Sequence, residues 1–244
     1  MIYGVQDITF DGRSLTEYGC VITEPPKRPF PKRKYEKQSV YGRSGDLIVD
    51  SESYENFSLS YKVATIPDLY EYRFVDEVLT DLKEWLCSSV SYRKLYDTDL
   101  PDGFYYAFCS GISDAVCTFD DMYEFEIAFD CKPFFFYDSG QDEIITTDHT
   151  ISLFNIGTLA SKPVIQIYGS GVVGCYVNGS HFTISDVSPN VTVDSELQLV
   201  YKGQPDNSDL FSGEYPELAK GDNTIIFLGN GYESAKIKPR WCRL

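Results

Sequence analysis

No CxxC pair occurs among the seven cysteines, at positions 20, 87, 109, 117, 131, 175 and 242, and only two histidines accompany them, His149 and His181. Structural zinc sites need closely spaced thiolate and imidazole ligands, so no metal and no cofactor is expected. The cysteine count is odd, and Met1 to Ser14 carries Asp7 and Asp11 without a basic stretch leading into an apolar run. No secretion signal is expected, and with it no disulfide framework. The cysteines read as reduced thiols, most of them small core residues. Apolar runs such as Phe134 to Tyr137 and Ile225 to Leu228 are far too short to cross a bilayer. Without secretion, Asn56-Phe57-Ser58, Asn178-Gly179-Ser180 and Asn190-Val191-Thr192 are chance matches to the glycosylation triplet. Basic residues are scarce too: 21 against 37 acids, a net charge of −16. Such a chain repels a phosphate backbone, so nucleic-acid binding is not expected, and most of the acids serve solubility.

What is present is aromatic. Nineteen Tyr and 16 Phe bring the aromatic share to 15%, too rich for a disordered chain and weighted toward strand formers. The 244 residues allow one large domain or two of ordinary size. Phe57, Leu59, Tyr61 and Val63 alternate with Ser58, Ser60 and Lys62, the period of a half-buried strand. Tyr123, Phe125, Ile127 and Phe129 alternate in the same way, and the two segments suit one antiparallel sheet with a wet face. Between them a helix is predicted from Pro67 to Ser88. Leu69, Tyr72, Val75, Leu79, Leu82 and Leu86 form its apolar stripe, with Trp85 beside its end, and Thr65 precedes it as a start signal. That helix should cover the sheet.

Glu24 to Lys37 departs from the acidic background. Pro25, Pro26, Pro29 and Pro31 alternate with Lys27, Arg28, Lys32, Arg33, Lys34 and Lys37. This is a stiff, basic, extended loop, either simply solvated or an arm that reaches an acidic neighbouring subunit. Val40 to Leu47 comes next with Gly42 and Gly45, a tight glycine-permitted turn presenting Arg43 on a strand border. Cys131-Lys132-Pro133 and the aromatic run after it mark a seam, with proline ending the preceding strand. Domains are therefore placed at 1–137 and 138–244. After the seam no helix is expected. Seven or eight short strands succeed one another with regular turns, Asn178-Gly179 among them, which suggests a sandwich or jelly roll.

Motifs with chemical associations resolve into structure. Gly169-Ser170-Gly171-Val172-Val173-Gly174 matches GxGxxG, but a strand comes after it where a dinucleotide site needs a helix N-terminus, so a turn is expected. Asp97, Asp99 and Asp102 fail calcium-loop spacing at Pro101 and Phe108, which leaves a polar turn. His149 reads as a solvated loop residue and His181 as a surface strand residue. Neither sits in a catalytic arrangement, and nothing singles out a carboxylate pair among the acids, so no enzyme is expected.

The order of several short pieces resembles the distal tail protein (Dit) family of siphophages. They are Phe10-Asp11-Gly12, Tyr18-Gly19, Gly42-Arg43-Ser44-Gly45-Asp46, Leu82 to Leu86, Tyr92 to Asp97 and Phe125 to Pro133. The second half adds Asn155-Ile156-Gly157, Ser161-Lys162-Pro163, Ile167 to Gly171, Asp194-Ser195, Gly221-Asp222-Asn223 and Pro239-Arg240-Trp241. The resemblance implies a mostly β protein: an α+β N-terminal domain with one helix on an antiparallel sheet, then a galectin-like β-sandwich. It implies a hexameric ring built by residues 1–137 that joins the tail tube above to a Tal-like baseplate protein below. Receptor-binding proteins are possible further attachments, and DNA passes through the channel without specific binding. The place so implied is the virion tail tip, assembled in the host cytoplasm. Lys27, Arg28, Lys32, Arg33 and Lys34 are the expected ring contacts. The alternative is a stand-alone lectin-like carbohydrate-binding module. Against it, His181-Phe182-Thr183-Ile184 lacks the galectin sugar-site pattern, and no inserted carbohydrate module is visible.

Overall fold

A computed structural model describes residues 6–67, 74–119, 122–203 and 206–244. The chain divides into two compact units, Met1–Phe135 with Leu244, and Phe136–Arg243. The first contains strands β1 (Ile8–Phe10), β2 (Arg13–Ser14), β3 (Cys20–Glu24), β4 (Arg33–Gln38), β5 (Leu47–Tyr54) and β6 (Phe57–Thr65). Helix α1 (Val75–Cys87) comes next, then β7 (Arg93–Asp97), β8 (Gly103–Ile112), β9 (Val116–Phe119) and β10 (Met122–Tyr137).

Its main sheet runs β2-β1-β7-β8-β10-β6-β3, with β9 also paired to β10. The two alternating segments pair as their period requires: Phe125 faces Val63, Ile127 faces Tyr61 and Phe129 faces Leu59. Their apolar side chains are buried, while Lys62, Glu124 and Glu126 face water. Helix α1 packs its stripe on the dry face. Val78, Leu82, Trp85 and Leu86 are buried with Ile8, Phe10, Leu59, Tyr61, Ile127 and Phe129, at the i, i+4, i+7, i+8 spacing of one helical face. Trp85 anchors this core: its indole N–H donates to the Phe10 carbonyl at 2.9 Å, and its ring stacks on Tyr18 at 4.8 Å.

Two expectations need correction here. The helix begins at Val75, not Pro67: Phe74 is extended (φ −73°, ψ 143°) and makes no side-chain cap. Leu69 and Tyr72 lie outside the described residues, and Thr65 is a buried residue of β6 rather than a cap. Nor does Pro133 end a strand. β10 runs through it to Tyr137. The ladder with β6 has closed at Cys131↔Phe57, so the missing proline N–H costs that ladder nothing.

The second unit holds β11 (Ile144–Thr146), β12 (Thr150–Asn155), β13 (Val164–Gly169), β14 (Val173–Val177), β15 (Ser180–Ile184), β16 (Asn190–Asp194), β17 (Leu199–Tyr201), β18 (Phe211–Gly213), β19 (Gly221–Leu228), β20 (Tyr232–Lys238) and β21 (Cys242–Arg243). Two antiparallel five-stranded sheets form among the described residues, β11-β20-β13-β16-β17 and β12-β19-β14-β15-β18. Ile165, Ile167, Val191, Val193, Ala235 and Ile237 of one share a single core with Val173, Cys175, Phe182, Ile184, Ile225 and Phe227 of the other. This is a sandwich, with more strands than the seven or eight expected. Asn178-Gly179 joins β14 to β15 with φ of 53° and 98°, both positive as a type I′ hairpin turn demands.

Candidate interaction surface

The least buried part of the first unit runs from the basic segment into β5. Residues 32 to 52 are exposed without a break. Contrary to a loop reading, Arg33 to Lys37 belong to strand β4, which pairs with β5 in a separate two-stranded ribbon. Tyr35 opposes Asp50, Glu36 opposes Val49, Lys37 opposes Ile48 and Gln38 opposes Leu47. Opposed residues share a face, so one face carries Tyr35 and Ile48 and the other Leu47 and Val49. Neither face is dry. Ile48 is 63% exposed, and Phe30, just before the ribbon, 89%. An isolated two-stranded ribbon is marginal in water, so apolar side chains held out on both faces suit burial against another surface.

The ribbon is held at its base. Arg33 Nε donates to both Asp50 carboxylate oxygens, at 2.9 and 2.8 Å, and the Glu55 N–H donates to the Lys32 carbonyl at 2.8 Å. The Arg33 hydrogen bond and the Glu52 backbone N–H hold Asp50 below the usual carboxylate range. At the tip the Arg43 N–H donates to the Val40 carbonyl at 3.1 Å, and Gly42 takes φ +77°, as the third residue of a type II turn must. The turn is therefore as expected. Arg43 sits inside the connecting loop rather than at a strand border, and Tyr41 stands fully exposed beside it.

The five basic residues expected at an interface divide into two groups. Arg28 bonds Asp97 at 2.8 Å and approaches Asp99 at 3.5 Å, and Arg33 bonds Asp50. These two shape the segment within its own chain. Lys27, Lys32 and Lys34 are exposed, and no ion pair is found for them among the described residues. Lys32, Arg33, Tyr35, Lys37 and Glu55 line an open groove of about 710 Å³. The apolar content of the ribbon has a sequence signal: Leu47 and the β-branched Ile48 and Val49 follow a glycine turn, and they mark a strand.

Other motifs have structural explanations. The GxGxxG stretch joins β13 to β14 with no helix after it. Asp97 is buried at the end of β7, and its carboxylate accepts the Asp99 N–H at 2.9 Å, the polar turn expected. His181 is exposed on β15, with Nε2 3.1 Å from the Thr183 hydroxyl. His149 is an exposed loop residue, as expected, and it is also anchored: Nδ1 lies 2.9 Å from the Phe227 carbonyl and its ring packs on Tyr232. Four cysteines are buried; Cys109 is half-buried, and Cys87 and Cys117 are exposed. Both tryptophans are buried, Trp241 in the sandwich core.

No protein-family model matches the sequence, and no curated protein matches it. Among solved structures the chain matches the crystal structure of SPP1 Dit, described as a paradigm of the hub adsorption apparatus in phages infecting Gram-positive hosts. The TM-score is 0.69 and the identity 16%, with 96% of this chain and 98% of that chain covered. The chain has the fold of a phage Dit protein. Some of the short pieces that carry the sequence resemblance are stretches of α1, β7 and β10, and others are turns, caps and clamps of this fold. Asp11-Gly12, with φ of 51° and 80°, turns β1 into β2. Gly19 ends a short helical turn that begins with a Ser14–Glu17 capping box. Asn155 accepts the Gly157 N–H at 2.8 Å and donates to the Leu159 and Leu218 carbonyls. Asp194 and Arg240, from two separate pieces, form a bidentate ion pair at 2.8 and 2.9 Å.

Proposed function

We propose that this chain is the structural hub of a siphophage tail tip. Six copies close into a ring through residues 1–137, and residues 138–244 stand as galectin-like attachment domains. The ring joins the tail tube above to a Tal-like baseplate protein below, with receptor-binding proteins as possible further attachments, and lets DNA pass. The observation that carries this reading is the match in fold to a phage hub protein along almost the full length of both chains. The exposed ribbon adds to it, because a closed ring joins one patch to a different patch on its neighbour. A chain of net charge −16, repeated around a bore, favours unhindered DNA passage through like-charge repulsion. The role is mechanical, not catalytic. The lectin-like alternative is disfavoured because both tryptophans are buried, leaving no indole face to stack on a sugar.

Lys27, Lys32 and Lys34 are the proposed ring contacts, and Arg28 and Arg33 hold the arm that presents them. Negative-stain imaging and light scattering of the purified full chain test the ring, with six-fold annuli expected. A chain that stays monomeric when concentrated and is absent from virions overturns the reading. Lys32→Glu with Lys34→Glu should weaken hexamers, most strongly at low salt. Unchanged hexamers would remove the arm from the contact.

A further inference from the structure

Cys87 and Cys109 hold two thiols 3.9 Å apart. Cys87 is the last residue of α1 and is exposed. Cys109 lies in β8, half-buried against the helix–sheet core. The fold makes the pair, since α1 packs on β8. Nothing in the assembly role uses it. Burial first, and the neighbouring Cys87 next, push the Cys109 thiol up to about 12. At neutral pH Cys109 therefore stays protonated, and Cys87 is the thiol a dissolved reagent meets.

We propose that Cys87 and Cys109 are an oxidative modification site, closing to an intramolecular disulfide that staples the end of α1 to β8 when the chain meets a small-molecule disulfide. The Cys87 thiolate attacks one sulfur of oxidised glutathione, forming a mixed disulfide and expelling one glutathione thiolate. Cys109 then gives up its proton to solvent and attacks the Cys87 sulfur. The Cys87–Cys109 bond forms, and the second glutathione leaves as thiolate. Two protein thiols are oxidised by two electrons, and the reagent's single S–S bond is reduced to two thiols. The sulfurs must close from 3.9 Å to a bond of about 2.05 Å, and Cys87 sits at a helix terminus, where the backbone gives most readily. The second step is the slow one, because it needs the Cys109 thiolate, and it accelerates as pH rises.

The test uses the native full chain and oxidised glutathione, followed by acid quench, thiol counting after denaturation and non-reducing peptide mapping. Cys87 and Cys109 should be recovered in one cross-linked peptide pair, so that two of the seven thiols disappear beyond any glutathione adduct on the exposed Cys117. The thermal midpoint should rise by about 5 °C and return on reduction. Cys109→Ser should stop at a glutathione adduct on Cys87, and Cys87→Ser should leave Cys109 unmodified. A persistent adduct on Cys87 in the unsubstituted chain, seven intact thiols, or a cross-link elsewhere would overturn the assignment. Thiol counts do not depend on ring formation, so this result stands apart from the tail-hub reading.

Discussion

Arg28 lies 2.8 Å from Asp97 and turns the start of the basic arm back onto its own domain. The Asp97 side chain is only 4% exposed, and it also accepts the Tyr61 hydroxyl at 2.9 Å. Burial, then the Asp97 charge and hydrogen bond, push the Tyr61 hydroxyl well up, so it remains a donor at any ordinary pH. Removing the cation leaves a buried carboxylate short of its strongest partner. Arg28→Ala should therefore cost about 2 kcal/mol of folding stability, read as a lower denaturant midpoint at an unchanged slope. An unchanged midpoint would show that Arg28 acts outside its own domain.

The β4–β5 ribbon should be the first part of a dissociated chain to be cut. It offers Lys32, Arg33, Lys34, Lys37 and Arg43 to trypsin on exposed backbone, and its local opening free energy is low because it buries no core. Brief trypsin treatment should nick it while the helix–sheet core and the sandwich stay whole. Assembled particles should resist the same treatment. Equal cutting in both states would mean that assembly leaves the ribbon uncovered.

Sequence reasoning read some elements well and others not at all, for physical reasons. β6 and β10 were legible because one wet face and one dry face impose a period of two, and the two strands pair antiparallel with their apolar rows opposed. The Asn178-Gly179 turn was legible because its backbone demand restricts residue choice. β4 was hidden because no face of it is buried, so Arg33 to Gln38 carries no alternation. β11 was hidden in a polar stretch, and β18, only three residues long, gives no pattern. The inward pairing of Arg28 was invisible, since Asp97 is 69 residues away. That distance is why a basic run alone overstated how many of its charges face outward.

Gly231 and Gly169 mark where two backbones pass without room for a side chain. A Cβ on Gly231 would sit 1.7 Å from the Ser170 carbonyl oxygen, and one on Gly169 would sit 1.9 Å from that of Gly231. Gly231→Ala should cost about 3 kcal/mol through forced backbone shifts. Gly171 has φ +69° but open space around it, so Gly171→Ala should cost only about 1 kcal/mol. Differential scanning calorimetry of both variants tests the order. Equal losses would mean that the two backbones move apart at little cost, so that the crossing does not exclude a side chain.

Asp194 and Arg240 should make the sandwich acid-sensitive. The Asp194 side chain is 4% exposed and that of Arg240 21%. Burial alone would raise the Asp194 carboxyl, but the Arg240 hydrogen bonds and the N–H groups of Leu197 and Glu196 outweigh it, and the net position is lowered. A carboxyl held lower in the folded than in the unfolded chain contributes its full stability above the unfolded value of about 3.9. It loses that contribution as pH falls through the lower folded value. Asp194→Asn should thus be less stable than the unsubstituted chain by about 2 kcal/mol at pH 7. The gap should hold down to the ordinary carboxylate range and narrow below it, as the unsubstituted chain takes up the proton. Denaturant midpoints of both proteins from pH 7 to pH 3 measure this, and a gap that stays constant with pH would assign the loss to packing rather than to the ion pair.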